Sequence, residues 1–110
     1  AFDSITGYIE KARNTKDAEI VFGGTYDKSK GYFIQPTVIL ANDPHFVTME
    51  EEIFGPVLTI HVYEDAKFEE TLALVDSTSP YALTGSIFSN DRYATEVRDA
   101  SKKLLARAGI

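Results

Sequence analysis

Cysteine and tryptophan are absent from all 110 residues, and methionine occurs once. Without a thiol, disulfides, cysteine-based metal sites and a cysteine nucleophile are excluded within this stretch. Basic side chains are in short supply too, 11 Lys and Arg against 17 Asp and Glu, for a net charge of −6. That balance argues against nucleic acid or an anionic membrane as the main partner. No apolar run is long enough to span a bilayer, and no signal-peptide pattern opens the chain. Ala1 in place of Met sets up the expectation of a start inside a longer protein. There is no repeat, linker or low-complexity tract. What remains, 44% hydrophobic and 25% charged residues, suits one ordinary domain over residues 1–110.

The pattern along the chain is α/β. Ile5, Tyr8, Ile9 and Ala12 fall on one helical face, with Asp3 or Ser4 as the expected cap and a polar run at 14–17 as the stop. Ala18–Phe22 reads as a short strand ended by Gly23 and Gly24. Extended chain at 32–34 and 37–40 is interrupted by Pro36, and a hairpin is expected around residues 27–30. Residues 42–52 read as irregular chain or one short helical turn. Residues 57–63 are β-branched and aromatic with apolar groups on both faces, as in a buried strand. Asp65 is expected to cap a helix with Phe68, Leu72 and Val75 on one face. Residues 83–88 read as another strand, with Gly85 allowing close approach of a neighbouring backbone. A last helix beginning at Asn90 or Asp91 carries Tyr93, Val97, Ala100 and Leu104 on its buried side. The second half thus reads β-α-β-α, a partial parallel-sheet unit preceded by a helix and a short β segment, with strands 57–63 and 83–88 expected to pair. The final helix points to a further parallel strand beyond it.

Few residues offer chemistry. His45 and His61 lack zinc-site spacing and an obvious set of carboxylate partners, so no metal site is expected. Gly23-Gly24 follows a strand, yet neither the dinucleotide nor the Walker spacing is present, and a turn is the better reading. Glu50-Glu51-Glu52 ahead of Ile53-Phe54-Gly55-Pro56 is more unusual. It is either a solvated acidic turn or a rigid loop at a strand end. In the second case it presents a carboxylate to ligand hydroxyls and a ring to a flat apolar group.

Glu51-Glu52-Ile53-Phe54-Gly55-Pro56-Val57 resembles a signature stretch of the NAD(P)-dependent aldehyde dehydrogenase superfamily. Gly31-Tyr32-Phe33-Ile34-Gln35-Pro36-Thr37-Val38 is similar to that family's Gly-Tyr-Phe-x-x-Pro-Thr segment. Residues 81–89 resemble its Tyr-Gly-Leu strand start. Within the superfamily, Val75-Asp76-Ser77-Thr78 followed by Leu83-Thr84-Gly85 is most similar to the branch that oxidises glutamate γ-semialdehyde to glutamate in proline degradation.

The resemblance implies covalent catalysis, in which a thiolate attacks the aldehyde and NAD takes the hydride. It assigns Glu52 to the nicotinamide-ribose hydroxyls and Phe54 to packing near the nicotinamide, while Gly55 and Pro56 shape the backbone. The family's nucleophilic cysteine, its general-base glutamate and its glycine-rich cofactor unit have no counterpart here, and the sequence after Lys103 departs from the family pattern. The implied protein is therefore part of a catalytic domain with no catalytic residue of its own, inactive in isolation. Its implied partners are an aldehyde, NAD and the rest of a longer, homo-oligomeric chain. Its implied compartment is the mitochondrial matrix in a eukaryote and otherwise the cytoplasm. Two alternatives stand beside it: a stand-alone, non-catalytic α/β interaction module, and part of another aldehyde dehydrogenase.

Overall fold

Helix α1 (Phe2–Arg13) forms where Ile5, Ile9 and Ala12 recur along one buried face. Its ladder starts from Ala1, whose carbonyl accepts from the Ile5 N–H at 2.9 Å. Asp3 therefore sits inside the first turn, near the positive end of the helix dipole, and neither it nor Ser4 is the cap. At the far end Asn14 closes the helix by donating its backbone N–H (3.1 Å) and its side-chain amide (2.9 Å) to the Glu10 carbonyl. This computed structural model describes residues 1–81, 84–91 and 94–107.

Two compact units make up the chain, Ala1–Val62 and the stretch from Tyr63 onward. The first holds a three-stranded sheet in the order β1 (Ala18–Phe22), β4 (Thr37–Ala41), β5 (Val57–Ile60). A separate hairpin pairs β2 (Tyr26–Asp27) with β3 (Phe33–Ile34), as the turn residues between them suggest. Within that turn the Asp27 carboxylate accepts the Ser29 N–H at 2.8 Å, which holds its pKa below the ordinary aspartate value. Strand β4 runs antiparallel to β1 and parallel to β5, with Thr37 opposite Val57 and Leu40 opposite Ile60. A parallel pair needs a crossover, and residues 42–56 supply it, including the one-turn helix α2 (Val47–Glu50). The core is Ala12, Ala18 and Ile39, with Ile20, Phe46 and Val57 against it.

The fold is thus α/β with a partly parallel sheet, but its parallel pair is β4 with β5. Strand β5 ends at Ile60 rather than Tyr63 and lies at the sheet edge. Leu58 is 59% exposed and Ile60 is exposed beside it, so one face is open and the other, Val57 and Thr59, is half-buried. Leu83 lies outside the described residues, and residues 84–88 form no strand. A run of β-formers is held as a strand only by a hydrogen-bonded neighbour, and this one has no ladder among the described residues. Phe88 at its end is 95% exposed.

In the second unit, Asp65 opens a 3₁₀ turn (Asp65–Lys67) and α3 (Phe68–Thr78) follows it, so Asp65 is not the helix cap. Leu72 is buried and Phe68 half-buried, but Val75 is 60% exposed. It borders an open apolar cleft of about 360 Å³ with Leu72, Gly85, Ile87, Ala100 and Leu104. Helix α4 (Thr95–Arg107) starts later than expected, with Val97, Ala100 and Leu104 half-buried, and Tyr93 lies outside the described residues. Gly85 does allow a close approach, but of a side chain: a Cβ there would stand 2.3 Å from Leu104 Cδ1.

One side chain joins three segments of the first unit. Thr37 is 2% exposed, and its hydroxyl accepts the Gly24 N–H at 3.0 Å while donating to the Gln35 carbonyl at 2.8 Å. Its own N–H donates to the Pro56 carbonyl at 2.9 Å. Thr37→Val keeps the shape and strands the Gly24 donor, so it should cost about 1–3 kcal/mol in urea unfolding. Thr37→Ser should cost much less, and equal losses for both would mean that packing rather than the hydroxyl matters.

Candidate functional site

The acidic run ends α2 and leads into a loop, residues 51–56, that connects it to β5. Each end of that loop is fixed by backbone bonds. Upstream, the Glu51 N–H donates to the Val47 carbonyl at 3.0 Å, and downstream the Val57 N–H donates to the Gly55 carbonyl at 2.8 Å. The buried Thr48 of α2 accepts from the Thr59 hydroxyl of β5 at 2.9 Å, which holds helix and strand together beneath the loop. Gly55 lies directly on α1, where an added Cβ would stand 2.7 Å from Ile5 Cδ1. Any other residue type there would have to push the buried Ile5 side chain aside.

Phe54 carries the strain of this path. Its φ is 56°, in the left-handed region that a bulky side chain rarely enters, and it is the sole non-glycine there among the described residues. Its ring is 83% exposed and stacks on no other ring among the described residues. Phe54 borders two clefts. One of about 390 Å³ is lined by Thr48, Met49, Glu52, Ile53 and Thr59, and one of about 610 Å³ by Phe2, Lys28, Tyr32 and Pro56.

The three carboxylates differ in what holds them. Glu50 Oε1 lies 2.9 Å from His45 Nδ1, and Glu51 Oε2 accepts from the Tyr8 hydroxyl. Glu52 is exposed and has no hydrogen-bond or ion-pair partner among the described residues. Glu52 and Phe54 are thus brought to the rim of one cleft with both functional groups open. Sequence spacing alone missed the His45 partner and missed Tyr8 altogether, since Tyr8 and Glu51 are 43 residues apart.

The remaining candidates are structural. Gly23 (φ 73°) and Gly24 (φ 91°) make a left-handed turn with no helix following, and a Cβ on Gly23 would stand 2.0 Å from the Pro36 oxygen. His61 donates Nδ1–H to the Ala41 carbonyl at 2.9 Å, which ties the chain after β5 back to β4. Among the described residues, no three His, Cys, Asp or Glu side chains come together as a metal-binding group. No helix among them is long and apolar enough to cross a membrane.

The loop that carries Glu52 and Phe54 lies ahead of β5 in a mixed α/β unit. The aldehyde dehydrogenase family model matches residues 1–106, and the chain belongs to that family. Among curated proteins, it is 62% identical over 109 residues to the mitochondrial Δ1-pyrroline-5-carboxylate dehydrogenase of Dictyostelium discoideum. That alignment covers 99% of this chain and 19% of the relative, so the chain spans about a fifth of the relative's length. Among solved structures, the Mycobacterium tuberculosis Δ1-pyrroline-5-carboxylate dehydrogenase aligns with a TM-score of 0.78 at 39% identity, over 97% of this chain and 19% of that one. The Thermus 1-pyrroline-5-carboxylate dehydrogenase with bound NAD aligns with a TM-score of 0.75 at 35% identity, over 94% of this chain and 19% of that one.

Phe54→Gly should stabilise the chain by about 1 kcal/mol, because glycine enters the left-handed region freely and an exposed ring contributes little burial. Phe54→Ala removes the ring but keeps the strain, so it should bring no such gain. Urea unfolding of both variants checks this, and a loss with Phe54→Gly would show that the ring packs in the folded chain.

Proposed function

We propose that this chain is a segment of the catalytic domain of an NAD-dependent dehydrogenase that oxidises glutamate γ-semialdehyde, derived from Δ1-pyrroline-5-carboxylate, to glutamate. Relatives bearing the Δ1-pyrroline-5-carboxylate dehydrogenase name, at 62% identity in one case, support the substrate class. The Thermus relative with NAD bound supports the cofactor. The observation that carries the site assignment is the free Glu52 carboxylate two residues from the exposed Phe54 ring, on one strained loop.

The chemistry of these groups fits a nicotinamide nucleotide. A carboxylate with two open oxygens accepts from the two vicinal hydroxyls of a ribose, and such charge-assisted bonds are the strong ones. A ring standing free of the protein surface limits the drift of a flat heterocycle beside it. When bound, NAD supplies the hydride acceptor. Glu52 and Phe54 orient the nucleotide and take no part in bond making. The thiolate that attacks the aldehyde, and the base that activates water, belong to the rest of the longer chain, since this segment has no cysteine. Homo-oligomeric assembly and, in a eukaryote, residence in the mitochondrial matrix complete the proposal, the latter supported by the mitochondrial Dictyostelium relative.

In the longer enzyme, Glu52→Gln should weaken cofactor positioning by about 1.5–3 kcal/mol, read as a raised KM for NAD or slower hydride transfer with the fold intact. Glu50→Gln and Glu51→Gln should stay close to wild type. A silent Glu52→Gln beside a damaging Glu51→Gln would place the ribose contact on the wrong residue. The 110-residue chain alone should not reduce NAD in the presence of glutamate γ-semialdehyde. Turnover above a buffer blank, in a preparation free of host dehydrogenase, would refute the division of labour.

A further inference from the structure

Helix α1 touches the candidate loop at both of its ends. Tyr8 donates its hydroxyl to the Glu51 carboxylate, immediately before Glu52. Three residues earlier on the helix, Ile5 fills the space under Gly55, immediately after Phe54. Residues i and i+3 lie on one helical face, so a single stripe of α1 grips the loop on either side of the two exposed groups. Ile5 is buried, and Tyr8 is half-buried and reaches outward to the loop.

We propose that Tyr8 is a positioning residue for Glu52 and Phe54, acting through Glu51, an inference that rests on the cofactor-loop reading above. Glu50 bonds His45 through one oxygen and Glu51 bonds Tyr8 through one oxygen, while Glu52, with no partner among the described residues, has both oxygens free for a ligand. The bond also withholds Glu51 from competing for the same hydroxyls. With the anchor gone, the downstream end stays on Ile5, while Glu51 itself keeps its backbone bond to Val47 and loses its side-chain contact to α1. The Glu51-Glu52 stretch then samples several orientations, and the cofactor must order it on binding.

The test uses the longer enzyme and the variants Tyr8→Phe, Glu51→Ala, Glu51→Gln and Glu52→Gln. Tyr8→Phe keeps the ring and removes only the hydroxyl, while Glu51→Gln keeps an oxygen that accepts from it. Tyr8→Phe and Glu51→Ala should each raise the KM for NAD by about three- to tenfold with kcat within about twofold of wild type. Combined, they should do no more than either alone, because both remove one bond. Glu51→Gln should restore the wild-type KM. Independently of turnover, hydrogen exchange of the peptide covering residues 51–55 should quicken by about tenfold in Tyr8→Phe and Glu51→Ala, and exchange elsewhere should not change. Wild-type exchange and KM in both variants overturn the proposal, as do additive effects in the double variant or uniformly faster exchange. If Glu52→Gln leaves KM unchanged, the cofactor assignment fails, and the exchange measurement alone still decides whether Tyr8 holds the loop.

Discussion

The first unit depends on how completely one buried hydroxyl is satisfied. Thr37 begins the central strand and is nearly inaccessible to water, so each of its polar atoms needs a partner within the protein. It has them in three segments: the Gly24 turn, the Gln35-Pro36 approach and the Pro56 end of the candidate loop. The bond to Pro56 sets the register of the parallel pair, since it places Val57 opposite Thr37 and the rest of β5 follows. The loop's downstream end therefore cannot shift without breaking the first bond of the sheet. A rigid site built from a short loop requires that kind of attachment.

Rigidity at that end explains why strain persists at Phe54. A left-handed bulky residue costs free energy of about 1–2 kcal/mol, and it survives only where its surroundings determine the path. Here Gly55 must pass over Ile5, Pro56 must reach Thr37, and Glu51 must meet Tyr8. Those three contacts leave Phe54 to absorb the turn. The result is a ring held outside the apolar interior, where burial cannot reward it. Stability of this stretch alone would favour glycine at this position, so the strain at Phe54 is set by its attachments and not by burial of its ring.

Much of this was legible in the residues. The amphipathic spacing of Ile5, Ile9 and Ala12 locates α1, and the turn residues 27–30 locate the hairpin, because both are local patterns that tertiary contacts reinforce. The family was legible too, through the resemblance of the acidic loop to a signature stretch, and the family model matches residues 1–106. What periodicity could not show was pairing. Residues 84–88 have strand composition but no ladder, while β4 with β5 supplies the parallel pair across a crossover that reads as irregular chain. Strand identity depends on a neighbour's backbone, which no local pattern reports. Tyr8 was invisible for the same reason: it reads as one more residue of a buried helical face, and its phenol reaches across 43 positions to Glu51.

The acidic run shows how three identical side chains acquire different roles from their surroundings alone. Three consecutive carboxylates in a chain of net charge −6 repel one another, and free, they would give a fluctuating cluster with no preferred acceptor. Helical geometry turns Glu50 back toward His45 at the start of α2, and the extended backbone of Glu51 at the helix end aims it at α1. Each engagement fixes one member and narrows the orientations open to the next. Glu52 follows an extended residue and precedes the strained turn, so its direction is set by both neighbours while its oxygens stay unclaimed. Preorganisation of this kind needs no contact to Glu52 itself. It arises because each neighbouring carboxylate already has a partner on one oxygen, and the charge of Glu52 is held where the loop, rather than a contact of its own, directs it.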